Sequence, residues 1–104
     1  MDQEIRPLLA KVEHAYHIVG KKWVNFILHV LMEGPKRFSE LNTLIPDLSK
    51  RILNERLKEL EGCGLLTRTV IPDRPVRTEY SLTVKGQELG TALSHVEKWA
   101  IKWL

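Results

Sequence analysis

The 104-residue sequence predicts a mainly α (α+β) fold with the element order α-α-α-α-β-β-α. Three observations carry this. Apolar residues recur at three- and four-residue intervals through four long segments. Two β-rich runs, Leu65–Ile71 and Arg77–Leu82, are joined by a tip containing Pro72-Asp73-Arg74-Pro75. Glycine, proline and capping residues fall between these segments.

Each element has a local reason. Leu8, Leu9, Val12, Ala15, Tyr16 and Val19 lie at helical spacing, Pro7 suits a first turn, and Gly20 closes the segment. Trp23 to Glu33 is a more apolar helix, expected at the centre of the core, and Gly34-Pro35 stops it. Ser39 is the expected N-cap of a short helix, Glu40 to Leu44, which Pro46-Asp47 ends. Ser49 caps the next helix, Lys50 to Glu61, and Gly62 and Gly64 offer left-handed positions at its end. The two strands follow. Thr83 caps a final long helix, Val84 to Leu104. No repeat or linker divides the chain, so residues 1–104 read as a single domain.

Composition narrows the function classes. At 43% hydrophobic the chain can bury a core, and its net charge of +3 suits an anionic partner without proving one. Cys63 is the single cysteine, so no intramolecular disulfide supports the fold. The N-terminus lacks an apolar signal region, and the longest apolar stretch, Trp23 to Met32, is too short to span a bilayer. A cytoplasmic protein with no membrane partner is the expectation. There is no glycine-rich phosphate loop and no nucleophile with an evident base, so no enzymatic role and no cofactor are expected. His14 and His17 share a helical face, but no carboxylate or cysteine cluster completes a metal site. His29, inside the apolar second helix, is expected in the core or an interface. No His or Arg adjoins Cys63 in sequence to activate its thiol.

The stretch from Phe38 to Tyr80 is the richest in functional signal. A short helix, a turn, a basic amphipathic helix and a hairpin follow one another, which is the order of a winged helix-turn-helix. In the helix Lys50 to Glu61, Leu53, Leu57 and Leu60 face the core, while Lys50, Arg51, Asn54, Glu55 and Lys58 face out. Lys or Arg can donate to guanine O6 and N7, and Asn can pair with adenine N6 and N7. Lys50, Arg51 and Asn54 are therefore the expected base readers, with Ser49 beside them at the helix N-terminus. Arg37 and Ser39 open the helix that crosses the backbone in such docking, and Arg74 and Arg77 lie at the hairpin tip, stiffened by Pro72 and Pro75. These four, with Lys58, are the expected phosphate contacts. Double-stranded DNA is the expected partner.

At this point the residues resemble a known family. Val19-Gly20-Lys21-Lys22-Trp23, Phe38-Ser39-Glu40-Leu41, Leu53 to Leu60, Gly64-Leu65-Leu66, Val76 to Thr83 and Gly86 are similar in order and spacing to the HxlR family of bacterial winged-helix regulators, relatives of the MarR group. The resemblance implies a DNA-binding homodimer acting as a transcription factor, with terminal helices forming the dimer interface. Many members carry Cys-Pro in the first helix, a thiol that in some senses oxidants. Here those positions are Ala10 and Lys11, so sensing through that site is excluded.

The sequence supports dimerisation independently. Leu89, Ala92, Leu93, Val96, Trp99, Ala100 and Trp103 form a stripe running to the last residues, an expensive surface to leave exposed. The first helix, with Leu8 and Val12, supplies an opposing surface. The expected interface is Leu8, Val12, Leu89, Leu93, Val96, Trp99 and Trp103, within terminal helices of about 5–19 and 84–104. The competing expectation is that the last helix folds back onto its own core. A twofold dimer implies an inverted-repeat operator. The alternative function is a winged-helix protein-interaction module using the Trp-rich last helix. No residue set marks the site of a small-molecule effector.

Overall fold

The most apolar segment becomes the hub. In the computed structural model, which describes residues 2–104 and side chains from Ile5 onward, α2 (Val24–Leu31) buries Val24, Ile27, Leu28 and Leu31. These positions at i, i+3, i+4 and i+7 form one stripe. Before α2 runs α1 (Asp2–Val19). After it come β1 (Lys36–Arg37), α3 (Phe38–Leu44), α4 (Lys50–Gly62), β2 (Leu66–Ile71), β3 (Arg77–Leu82) and α5 (Val84–Trp103). Leu41, Ile45, Leu48, Leu53, Leu57, Leu60, Leu65, Leu66 and Tyr80 complete the core around α2. Each such side chain contributes about 1.5–3 kcal/mol by leaving water.

The predicted order stands with one addition and several shifted boundaries. β1 pairs antiparallel with β3, Lys36 opposite Tyr80 and Arg37 opposite Glu79, so the sheet order is β1-β3-β2. β2 and β3 pair from Leu66↔Leu82 to Ile71↔Arg77. α1 begins at Asp2 rather than near Leu8, leaving Pro7 inside the helix instead of in its first turn. Trp23 does not belong to α2. It precedes that helix in the left-handed region, at φ 82°. Its ring packs against the core, with Phe26 at 6.0 Å and the Lys22 ammonium 4.9 Å from its centroid. Those contacts hold a backbone conformation that costs about 1–3 kcal/mol for a non-glycine residue.

α5 changes character along its length. Gly86 and Gly90 are buried, and Leu89 and Leu93 pack against the protomer's own core. A Cβ on Gly86 would collide with the Leu65 carbonyl, so the helix docks there only because that residue is glycine, whereas one on Gly90 would displace the exposed Met32 side chain. Beyond them Val96, Trp99, Ile101, Trp103 and Leu104 are exposed, Trp99 by 57% and Trp103 by 65%. α1 behaves similarly: Ile5, Leu8, Leu9, Val12 and Tyr16 are all exposed. The chain is accordingly long, 58 × 31 × 23 Å, with a radius of gyration of 15.5 Å. A compact chain of this size would have about 13 Å.

Candidate nucleic-acid interface

α4 is fixed at both ends by its own sequence. The Ser49 hydroxyl accepts the Ile52 N–H at 3.2 Å, as the cap position predicted. At the other end Gly64 takes the left-handed conformation, φ 73°. The Leu65 N–H then reaches the Leu60 carbonyl and the Gly64 N–H the Glu61 carbonyl, closing a Schellman motif. Gly62 remains helical, so only one of the two expected left-handed glycines is used. Leu53, Leu57 and Leu60 hold the inner face in the core.

The mixed charge of α4 sorts into two flanks. On one, Arg56 Nε donates to the Lys22 carbonyl at 3.1 Å, and its guanidinium lies 3.4 Å from Glu59. Glu59 also meets Lys21 at 3.2 Å. This flank ties the helix to the α1–α2 turn. On the other side Lys50, Arg51, Asn54, Glu55 and Lys58 are exposed together. Arg51 there bonds Glu55 one turn on, at 3.0 Å. Such an exposed pair is worth about 0.3–0.5 kcal/mol, so it releases easily to a competing acceptor.

Asn54, Lys58 and Glu61 share one stripe of α4 and line a groove of about 550 Å³. Its far wall is the hairpin, through Arg68, Thr78 and Tyr80, and Phe38 of α3 closes it. Recognition helix and wing therefore border one polar channel. Arg68 was missed in the sequence because it sits in a run read as a half-apolar strand. Its signal was there: Leu66, Arg68 and Val70 share a face in a period-2 strand, and Leu66 is inward.

The remaining predicted residues are distributed unequally. Arg74 is exposed at the wing tip. Arg77, three pairs along from Tyr80, is half-buried and meets Asp73 at 3.2 Å. Its Nε is buried without a partner among the described residues. It braces the tip more than it extends from it. Arg37, not Ser39, is the N-cap of α3, and its backbone N–H donates to the Glu40 carboxylate at 3.0 Å. Ser39 is one residue inside the helix and exposed. The Arg37 side chain is exposed on the strand beside Glu79.

Other candidates fall elsewhere. His29 is not a core residue: it is exposed, and its Nδ1 lies 3.0 Å from Glu97, joining α2 to α5. His14, His17 and the half-buried Cys63 border a small cleft with Lys21 and Glu59. Among the described residues no three His, Cys, Asp or Glu converge closely enough for a metal. No described helix is long and apolar enough to cross a membrane.

A winged helix-turn-helix with a capped, basic second helix beside its hairpin defines a DNA-binding transcriptional regulator. The chain belongs to the HxlR-like helix-turn-helix family, whose model matches residues 18–104. It is 49% identical to the uncharacterized HTH-type transcriptional regulator YvaP of Bacillus subtilis over 94 residues, covering 90% of this chain and 87% of that protein. It is 46% identical to the HTH-type transcriptional regulator YodB of the same organism over 90 residues, 86% of this chain and 80% of that one. The reduced form of YodB superposes with a TM-score of 0.80 at 44% identity, over 89% of this chain and 91% of the other. The redox regulator HypR in its oxidized form gives 0.83 at 32%, over 88% and 95%.

Proposed function

We propose that this regulator is a single-domain homodimer that binds an inverted-repeat operator, one half-site per protomer. Lys50, Arg51 and Asn54 read base edges, with Ser49 at the helix end. Arg37, Ser39, Lys58, Arg74 and Arg77 hold phosphates, Arg77 after exchanging Asp73 for the DNA. The observation that carries the reading is the shared channel between the outer stripe of α4 and the wing. Dimerisation is supported by the apolar residues left exposed on α1 and the outer half of α5, Leu8, Val12, Val96, Trp99 and Trp103 among them. Leu89 and Leu93 are already half-covered by their own core and form the inner edge of that surface. A regulatory role, not an enzymatic one, fits the family.

HypR is named a redox regulator, but thiol sensing at the Cys-Pro positions of the family is not proposed for this chain, where Ala10 and Lys11 stand. The same Trp surface also suits the alternative, a partner of different sequence. Selection of bound sequences from random double-stranded DNA, repeated at several salt concentrations, separates the readings. Enrichment of an inverted repeat with half-sites about 34–36 Å apart is expected. Weak binding blind to sequence would overturn the operator reading and favour the protein partner. Within the selected site, Arg51→Ala is expected to cost about 1–3 kcal/mol and relax specificity. Unchanged affinity and base preference would remove Arg51 from the reading face.

A further inference from the structure

Three arginines of α4 and the wing already have a carboxylate. Arg51 pairs with Glu55, Arg56 with Glu59, and Arg77 with Asp73. Arg68 and Lys58 differ. Both are exposed, both line the channel from opposite walls, and neither makes an ion pair or side-chain hydrogen bond among the described residues. Arg68 stands opposite Tyr80 in the β2–β3 register, so it shares the inward face of the sheet with the buried Leu66 and Tyr80. A charged side chain on an inward face would ordinarily need a partner there. Here the core reaches its cross-strand neighbour Tyr80, and the exposed Arg68 side chain borders the polar channel instead.

From this we infer that Arg68, with Lys58 across the channel, holds a backbone phosphate of the DNA strand passing between α4 and the wing. The inference rests on the DNA-binding reading and adds a positioning residue to it. Charge fits one phosphate: the channel carries two cations, Lys58 and Arg68, against one carboxylate, Glu61. Arginine suits the task because its planar guanidinium can donate two parallel hydrogen bonds to phosphate oxygens. Thr78, on the same wall, brings a further hydroxyl. Distance separates this anchor from the tip. β2 runs three residues past Arg68 to Ile71, about 10 Å at about 3.3 Å per strand residue, and Arg74 lies beyond it in the turn. The two arginines therefore stand at the root and the tip of the wing and serve different phosphates. The wing then grips at its root and at its tip.

The test compares wild type, Arg68→Ala, Arg68→Lys and the double Lys58→Ala/Arg68→Ala protein on the selected operator and on unrelated duplex DNA, across a salt series. Arg68→Ala should weaken both by about tenfold at low salt and flatten the log–log salt slope by about 0.9, with base preference unchanged. The double variant should flatten it by about 1.8. Arg68→Lys should restore the slope, because it keeps the charge, while recovering only part of the affinity. A merely structural role would lower the melting temperature of Arg68→Ala and leave the slope alone. Wild-type binding with a steep slope that Arg68→Ala does not change would overturn the inference while leaving the DNA reading intact. Wild-type protein that shows no salt-dependent DNA binding would overturn both.

Discussion

The outer face of α4 and the outer faces of α1 and α5 are equally open to water, yet they pose opposite problems. On α4 the exposed groups are Lys50, Arg51, Asn54, Glu55 and Lys58, which water solvates well. That face can wait for its partner at no cost in stability. On the terminal helices the exposed groups are Leu8, Leu9, Val12, Tyr16, Val96, Trp99, Ile101 and Trp103. Apolar groups exposed in this number favour burial against another surface, and aromatic residues are enriched where that happens. Exposure alone is therefore a poor guide to function. The chemistry of what is exposed separates a face for a transient, charged ligand from one for a lasting protein contact.

The comparison breaks most visibly at the two tryptophans. Trp99→Ala with Trp103→Ala should weaken self-association by about 8 kcal/mol, enough to leave only monomer at micromolar concentration, because a twofold dimer loses four rings and buried aromatic anchors contribute about 2 kcal/mol or more each. Sedimentation equilibrium reads this, and the circular dichroism of the resulting monomer should stay helical, since neither ring belongs to the core. An unchanged mass would sink the interface assignment. On the polar face the effects are smaller and of another kind. Asn54→Ala should lose about 1–3 kcal/mol of discrimination at one base position without altering the urea midpoint. A lowered midpoint with intact base preference would instead make Asn54 structural. Arg74→Ala should weaken binding to all sequences and reduce the salt slope by about one; a changed base preference would argue against a backbone role. Ser49→Ala should lower folding stability by about 1 kcal/mol through the lost cap, measured in urea without DNA, and stability within error of wild type would show that the Ile52 N–H finds water equally well. Smallest of all, Glu55→Gln should shift stability by less than about 0.5 kcal/mol while strengthening DNA binding, because it frees Arg51 and removes a like charge from the phosphates.

Much of this could be read directly from residue spacing. Five helices, both wing strands and the caps Ser49 and Thr83 followed from periodicity and local hydrogen-bond chemistry, which neighbouring residues determine. What escaped depends on distant partners. β1 is two charged residues long, so it has no period to read, and it is a strand only because β3 lies beside it. Trp23 enters the left-handed region because ring packing outweighs its backbone preference. The ion pair of Arg77 with Asp73 was not read either, because it depends on how the tip folds back. Arg68 carried its signal in the strand alternation, but the meaning of an inward arginine depends on where the core stops. The last helix folds onto its own core as far as Leu93 and lies exposed beyond it, a division that its even apolar stripe does not reveal.

That divided helix also bears on gene dosage. In the dimer proposed above, a protomer completed only by a second copy has a binding-competent fraction set by its own abundance. Below the dimer dissociation constant, dimer concentration rises as the square of protomer concentration, by mass action. With a palindromic operator, a twofold change in synthesis then becomes up to a fourfold change in the species that occupies it. The exposed end of α5 would thus make the regulator a meter of its own expression, before any effector is considered.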